Sequence, residues 1–184
     1  HCTECAGQYA RNVPYSLSDP SVVLGCVLGI QNRPAIVLER TFQTFAFQSL
    51  EVADRVLVDN GSTSTLNAEY RILCHRYDWR LVCASPSNPA WSLSKAYNLA
   101  VSALAPEVNV VFKGDVDVLI GENVLQTAAR IGTKQLCIFS CHATSEGVTY
   151  PNHIPNGQVL REWSHRSPGM VAMDGEGIHA YPRR

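Results

Sequence analysis

VVFKGDVDVLI, at residues 110–120, is an apolar, β-prone run that contains two carboxylates in alternate positions, Asp115 and Asp117. Residues two apart in an extended strand lie on the same side, so both side chains can converge on one cation, or on a cation and a hydroxyl. Such oxygen ligands suit a hard divalent ion, Mg²⁺ or Mn²⁺, held beside a diphosphate. We therefore expect the pair at the carboxyl-terminal edge of a buried sheet, where α/β folds bind ligands.

The same two residues also have a structural interpretation. Asp is common in turns because its side chain accepts hydrogen bonds from nearby backbone amides. On this interpretation Asp115 and Asp117 only close a strand, and the Asp-x-Asp pattern alone does not distinguish the two roles.

Strands and helices alternate along most of the chain. Apolar runs predict strands at residues 21–30, 55–59, 80–84, 110–120 and 135–140, and helical periodicity predicts helices at 35–50, 66–77, 92–104 and 122–131. This alternation predicts β-α-β crossovers, and hence an α/β fold with a mainly parallel sheet flanked by helices. With 184 residues, the chain suits one domain rather than two.

The segment 142–184 has a different composition. It is polar and aromatic, and its one short apolar piece lies at residues 170–173. Long irregular segments of compact domains are often lids or binding loops. We therefore expect an irregular acceptor-binding or lid segment here, and we expect deletion of residues 175–184 to leave the parallel-sheet core folded.

Charge, hydropathy and cysteine usage narrow the class of protein. A formal net charge of -1 argues against nucleic acid as the main partner, because there is no basic excess to neutralise phosphates. No apolar run reaches the roughly 18 residues that a transmembrane helix needs. Several of the seven cysteines lie in apolar segments as small core residues would, which favours a reducing, cytoplasmic location.

Four features resemble family 2 glycosyltransferases of the GT-A (Rossmann-like) fold, and the resemblance covers residues 21–120. These features are, in chain order, the Asn32-Arg33 pair after strand one, Asp59 at the start of an Asn-Gly-Ser turn, Lys95 and Asn98 on a helix, and the Asp115/Asp117 pair. The resemblance implies a metal-dependent hexosyltransferase that uses Mn²⁺ or Mg²⁺ and moves the sugar of a nucleoside-diphosphate sugar, a UDP-sugar, to a hydroxyl of a small molecule or glycan.

The resemblance also implies roles for individual residues. Asp59 would contact the base, Asp115 the ribose or metal, and Asp117 the metal. The remaining roles are carried over as follows: Asn32, Arg33, Lys95 and Asn98 around the phosphates or sugar, His179 as a third metal ligand, and Asp174 or Glu176 as the catalytic base. In this scheme residues 21–120 bind the donor and residues 142–184 bind the acceptor.

Two other functions are compatible with the residues. A degenerate transferase would bind nucleotide sugars or carbohydrates without turning them over. A nucleotidyltransferase also binds a nucleotide and Mg²⁺ on an α/β sheet. That class normally has a Gly-rich basic loop after strand one, whereas this chain has GIQNRP at residues 29–34.

Overall fold

The computed structural model describes residues 21–84, 93–121, 123–132, 137–139, 141–143, 170–172 and 178–182, with side chains described as far as Arg130 except at Leu93. Helices and strands alternate over the first two thirds of the chain. In chain order the elements are β1 Leu24–Ile30, α1 Ala35–Ala46, β2 Asp54–Asp59, α2 Ser64–Tyr77, β3 Arg80–Cys83, α3 Leu93–Ala103, β4 Val110–Asp115, β5 Val118–Leu119, α4 Val124–Gly132, β6 Cys137–Phe139, β7 Cys141–Ala143, β8 Met170–Ala172 and β9 Ile178–Pro182.

The main sheet has six strands in the order β3-β2-β1-β4-β9-β6. The first four strands run parallel to one another, whereas β9 runs antiparallel to both of its neighbours, β4 and β6. A second sheet of three short strands has the order β5-β8-β7. The predicted α/β class with a mainly parallel sheet is therefore confirmed.

Hydrophobic cores cover both faces of the main sheet. On one face Leu28, Leu57 and Phe112 pack with α1, α2 and α4. On the other face Val27, Val56 and Val111 pack with α3. Strands β1, β2 and β4 are apolar on both sides because helices cover both of their faces.

Helix α1 is shorter than predicted, because it ends at Ala46 rather than near residue 50. The amide of the Gln48 side chain donates to the Thr44 carbonyl oxygen over 3.0 Å, in place of a further helical amide. The same amide group donates to the Gly121 carbonyl oxygen over 2.9 Å. Gln48 therefore closes the helix and ties its end to the segment that precedes α4.

The segment expected to be an irregular lid contributes regular structure to both sheets. Strands β8 and β9 lie within it, and β9 is an interior strand of the main sheet. Residues 175–184 thus include a strand that pairs with both β4 and β6, and this pairing argues against the expectation that they can be removed from a folded core. Residues 144–169 and 173–177 lie outside the described part of the chain.

Among the described residues, no helix is long and apolar enough to cross a membrane.

Candidate active site

The chain reverses the direction in which it adds strands at β1. Strands β2 and β3 lie on one side of β1 and β4 lies on the other. In the register of the sheet, Ile30 is opposite Asp59 and Gly29 is opposite Asp115, so both carboxylates lie level with the end of β1. In open α/β sheets, ligands bind in the crevice at such a switch point, outside the carboxyl ends of the strands.

Asp59 ends β2 and is almost completely buried. Its Oδ1 accepts a hydrogen bond from the Ser62 amide over 3.0 Å, and its Oδ2 accepts one from the Asn67 side chain over 2.6 Å. The bond from Ser62 is the local turn contact that the structural interpretation of Asp59 predicts. Both carboxylate oxygens of Asp59 act as acceptors in these bonds, so a ligand that binds them would present an N–H or O–H group.

Asn32 connects the loop after β1 to the loop after β2. Its backbone is left-handed, with φ of 48°, a conformation that Asn tolerates better than most residues. Its amide donates to the Ser62 hydroxyl over 2.8 Å, and its side-chain oxygen accepts from the Thr63 amide over 3.1 Å. Asn32 was expected to bind the donor, and its side-chain oxygen is engaged in holding the two loops together.

Asp115 and Asp117 do not lie in one extended strand as predicted. Strand β4 ends at Asp115, and the chain turns at Val116 and Asp117 before β5 begins. The structural interpretation of the pair predicts such a turn, and in the structure the Thr41 hydroxyl of α1 donates to the Val116 carbonyl oxygen within it. The same-side argument from strand geometry is therefore wrong, although both carboxylates remain within one short segment at the end of β4.

Asp117 forms an ion pair with Arg33. The distance from Arg33 Nη2 to Asp117 Oδ2 is 3.1 Å, and the side chain of Asp117 is 9% exposed whereas that of Arg33 is 48% exposed. The loop that carries Arg33 is anchored by the Tyr70 hydroxyl, which donates to the Arg33 carbonyl oxygen over 2.5 Å. The ion pair thus joins the end of β1 to the end of β4 across the switch point.

Tyr97, which the sequence analysis did not single out, contacts the Asp-x-Asp segment directly. Its hydroxyl lies 2.6 Å from Asp115 Oδ1 and 2.8 Å from the Gly114 carbonyl oxygen, so its one proton can be donated to either acceptor. The Lys113 ammonium lies 4.2 Å from the centroid of the Tyr97 ring. Burial raises the pKa of the Tyr97 hydroxyl above its usual range, and the negative charge of Asp115 raises it further, so the group remains a donor at neutral pH.

Two signals in the sequence could have identified Tyr97. It neighbours Ala96 and lies one turn before Ala100, so helical spacing places it on the apolar face of α3. A glycine within a buried strand also indicates a close approach. A Cβ at Gly29 would lie only 2.9 Å from the Tyr97 hydroxyl oxygen.

The other predicted donor ligands lie on α3. Lys95 and Asn98 are exposed on this helix, whereas Ala96, Tyr97 and Ala100 are buried. The buried side of the same turn is occupied by Tyr97, which is 5% exposed. Of the residues on this turn of the helix, Tyr97 therefore makes the contact with Asp115.

The two carboxylates at the end of β4 fit part of the ligand set of a divalent ion. Mg²⁺ is commonly held by one or two carboxylates together with substrate phosphates and water, so a complete cage of protein ligands is not required. Within the described residues, no group of three or more His, Cys, Asp or Glu side chains is arranged to hold a metal. A divalent ion at Asp115 and Asp117 would therefore need further ligands, such as phosphate oxygens and water.

The predicted C-terminal site residues are described only in part. The backbone of His179 in β9 pairs with Lys113 of β4, two residues before Asp115. The predicted catalytic acids, Asp174 and Glu176, lie outside the described residues.

No protein-family model and no curated protein sequence matches the chain. Solved structures resemble it in fold. They include a mannosyltransferase from Pyrobaculum calidifontis in complex with GDP-Man and Mn²⁺, with TM-score 0.54, 18% identity, and coverage of 72% of this chain and 40% of that one.

Two further structures have comparable scores. S. aureus TarS 1–349 matches with TM-score 0.51 and 17% identity over 71% of this chain and 38% of that one, and the same fragment has been solved with UDP-GlcNAc. A 4-diphosphocytidyl-2C-methyl-D-erythritol synthase from Anaerococcus prevotii matches with TM-score 0.54 and 14% identity over 88% of this chain and 70% of that one. The chain spans about two fifths of the length of the mannosyltransferase and of the TarS fragment. Together with the strand order and the helices on both faces, these likenesses show that the chain has a GT-A-like α/β fold.

Proposed function

We propose that the protein is a metal-dependent glycosyltransferase that moves a hexose from a nucleoside-diphosphate sugar to an acceptor hydroxyl. The observation that carries the proposal is the convergence of Asp59, Asp115 and Arg33 at the switch point of a GT-A sheet. These groups could accept a hydrogen bond from a base, bind a cation and bind a phosphate within one crevice. Solved structures of similar fold bind GDP-Man with Mn²⁺ and UDP-GlcNAc, which supports this class of donor.

In this proposal the protein contacts the donor at both the base and the diphosphate. Asp59, fixed by Ser62 and Asn67, accepts a hydrogen bond from the base. Asp115 and Asp117 would hold Mn²⁺ or Mg²⁺, and such an ion would supply positive charge to stabilise the leaving diphosphate. Arg33, which is half exposed beside Asp117, can reach a phosphate oxygen from the β1 side.

The acceptor side of the proposal concerns the C-terminal residues. We propose His179 as a third metal ligand, on the basis of its backbone register beside Lys113. Asp174 or Glu176 would remove the proton of the acceptor hydroxyl as it attacks the anomeric carbon. Lys95 and Asn98 are proposed to contact the phosphates or the sugar. The donor proposed first is a UDP-sugar, with a GDP-sugar as the next to test.

Asp117→Asn tests the role of the cation. We expect it to weaken Mn²⁺-dependent binding of UDP or GDP by more than about tenfold, because loss of a direct ligand exceeds the roughly 10- to 100-fold cost of losing an outer partner. Isothermal titration calorimetry with and without Mn²⁺ measures the effect. Glu107→Gln makes the same chemical change at an exposed position and serves as the control. Equal Mn²⁺-dependent affinities for Asp117→Asn and the parent protein would contradict the assignment.

Product analysis separates transfer from the two other functions. The parent protein is incubated with nucleotide sugars and candidate acceptors, and the release of free nucleoside diphosphate is followed with and without Mn²⁺. Release that needs both acceptor and Mn²⁺ supports a transferase. Donor binding without any release identifies a non-catalytic binding module.

A nucleotidyltransferase is the second candidate, because the match to the Anaerococcus synthase covers 88% of this chain, against 72% for the mannosyltransferase and 71% for the TarS fragment. The loop after β1 argues against it, because Gln31, Asn32 and Arg33 replace the Gly-rich basic loop that would hold a triphosphate. Release of pyrophosphate from a nucleoside triphosphate and a sugar phosphate would decide in favour of this second function.

A further inference from the structure

The Asp-x-Asp segment is held from both faces of the main sheet by hydroxyl groups. From α3, the Tyr97 hydroxyl contacts Asp115 Oδ1 and the Gly114 carbonyl oxygen. From α1, the Thr41 hydroxyl donates to the Val116 carbonyl oxygen. The contact from Tyr97 differs from that of Thr41 because it includes a carboxylate that the proposed function assigns to the metal or the ribose.

The phenol of Tyr97 has a defined position. Its ring packs against the backbone of β1, where a Cβ at Gly29 would lie 2.9 Å from both the hydroxyl oxygen and Cζ. Gly29 pairs directly with Asp115 in the sheet, so the close approach occurs next to the carboxylate that Tyr97 binds. The Lys113 ammonium lies over the ring, 4.2 Å from its centroid. The side chain is therefore confined by β1 and β4 together.

We propose that Tyr97 is a positioning residue that orients the Asp115 carboxylate for the cation and nucleotide; this inference rests on the proposed function. The hydroxyl holds Oδ1, so rotation of the carboxylate is restricted and Oδ2 takes a defined direction. A hydrogen bond from a hydroxyl to a carboxylate is charge-assisted, and is about twice as strong as one between neutral groups. Binding a cation to a carboxylate already held in this way avoids the loss of side-chain entropy on binding.

Tyr97→Phe removes the hydroxyl and keeps the ring against Gly29. We expect Mn²⁺-dependent affinity for UDP or GDP to fall by about 10- to 100-fold, the range typical of an outer partner of a metal ligand. Calorimetry measures this affinity, and titration of the nucleotide without Mn²⁺ should show a much smaller change. Tyr77→Phe is the matched control, because its hydroxyl also donates to a carboxylate, Glu39, over 3.2 Å and lies between α1 and α2.

A double-mutant cycle with Asp115→Asn distinguishes positioning from a general loss of stability. If Tyr97 acts through Asp115, then Tyr97→Phe should cost little further affinity in the Asp115→Asn background. Additive losses in the cycle would overturn the inference. Gly29→Ala provides an independent test, because its new methyl group displaces the Tyr97 hydroxyl and should reproduce the loss of Mn²⁺-dependent affinity.

The outcomes separate this inference from the proposed function. A parent protein that binds neither UDP nor GDP with Mn²⁺ overturns the proposed function and this inference with it. A parent protein that binds, together with unchanged affinity in Tyr97→Phe, overturns the role of Tyr97 alone. Circular dichroism and thermal unfolding of each variant identify any loss of affinity that reflects unfolding.

Discussion

Asp54 and Asp59 lie at opposite ends of β2 and have different surroundings. Asp54 pairs with the Arg80 guanidinium of β3 and also accepts a hydrogen bond from the Ala105 amide over 2.7 Å. Asp59 lies at the end where ligands bind in this class of sheet. The same residue type therefore supports the fold at one end of the strand and the candidate site at the other.

The free energy of unfolding should depend on pH through Asp54. Burial opposes its ionisation, but hydrogen bonds from Arg80 and Ala105 outweigh burial, so the pKa of Asp54 is lowered. A lowered pKa in the folded state means that the stabilisation is fully present above the unfolded-state pKa, about 3.9. It is lost as the pH falls through the lower folded-state value.

Urea unfolding at a series of pH values tests this expectation. Asp54→Asn should be less stable than the parent protein at pH 7, and the difference should shrink below about pH 4. Asp78→Asn is the control, because the side chain of Asp78 is fully exposed and its nearest Arg55 nitrogen is 3.8 Å away. A difference that stays constant from pH 7 to pH 2 would show that ionisation of Asp54 does not contribute.

The rate at which Cys83 is alkylated can test the proposed base site. It is exposed, and the Asn67 amide that donates to Asp59 Oδ2 also lies 3.3 Å from Cys83 Sγ. We therefore expect UDP or GDP with Mn²⁺ to slow alkylation of Cys83, as measured by peptide mass spectrometry. Asp59→Ala should remove this protection. The same substitution should also reduce the discrimination between uridine and guanosine nucleotides, because a buried polar contact to a base rejects a partner that leaves it unpaired.

Two buried thiols provide the internal control for this labelling. Cys26 and Cys74 are buried, and burial raises the pKa of Cys74 to about 12. Both should remain unmodified in the folded protein with or without nucleotide. If Cys83 reacts at the same rate in the presence of saturating nucleotide, the base does not bind beside Asp59.

Helix α1 carries polar residues on a side that faces the protein interior. Thr41 and Thr44 are fully buried, and they bond to the segment that follows β4. Gln48 extends this stripe, because its side-chain oxygen accepts from the Leu125 amide over 3.3 Å. Helical periodicity in the sequence locates this helix, but it cannot show that a threonine finds a buried hydrogen-bond partner.

Thr41→Val tests how strongly α1 holds the Asp-x-Asp turn. The substitution keeps the shape of the side chain but leaves the buried Val116 carbonyl oxygen without this donor. An unsatisfied buried group costs about 1–3 kcal/mol, and we expect the free energy of unfolding to fall by this amount in urea titrations. Thr65→Val on exposed α2 surface should stay within about 0.5 kcal/mol of the parent protein. Equal effects of the two substitutions would contradict the role of Thr41.

The main sheet joins two parts of the chain that are distant in sequence. The four parallel strands come from residues 24–115, and β9 adds residues 178–182 beside β4. Strand β6 then pairs with β9 rather than with β4. The described C-terminal strand is therefore a part of the sheet that carries the candidate site.

Removal of residues 175–184 should destabilise the sheet rather than detach a lid. It leaves one edge of β4 unpaired. An apolar strand with an exposed, unpaired edge favours aggregation. We expect a loss of cooperative thermal unfolding by circular dichroism, and association in size-exclusion chromatography. Removal of Arg183 and Arg184 alone, which follow β9, should leave both measurements unchanged. A monomeric truncated protein with parental unfolding would show that β9 contributes little.

The sequence alone determined the α/β class, the parallel core and the position of Asp59 at a strand end. These features follow from local patterns, because each apolar run and each helical periodicity lies within a short stretch of the sequence. The alternation of predicted strands and helices then limits the topology to right-handed crossovers. The resemblance of residues 21–120 to GT-A glycosyltransferases rests on the order of short motifs along the same elements.

Three features depend on contacts between distant parts of the chain and could not be predicted from local patterns. They are the turn at Asp117, the hydrogen bond between Tyr97 and Asp115, and the pairing of β9 with β4. Thr41 and Val116, whose bond holds that turn, are 75 residues apart in the chain. Such contacts depend on which surfaces meet after the elements pack, and no local propensity encodes the partner. Polar groups buried by packing must find hydrogen bonds wherever the fold places them, and this requirement determines the detailed geometry around the two carboxylates.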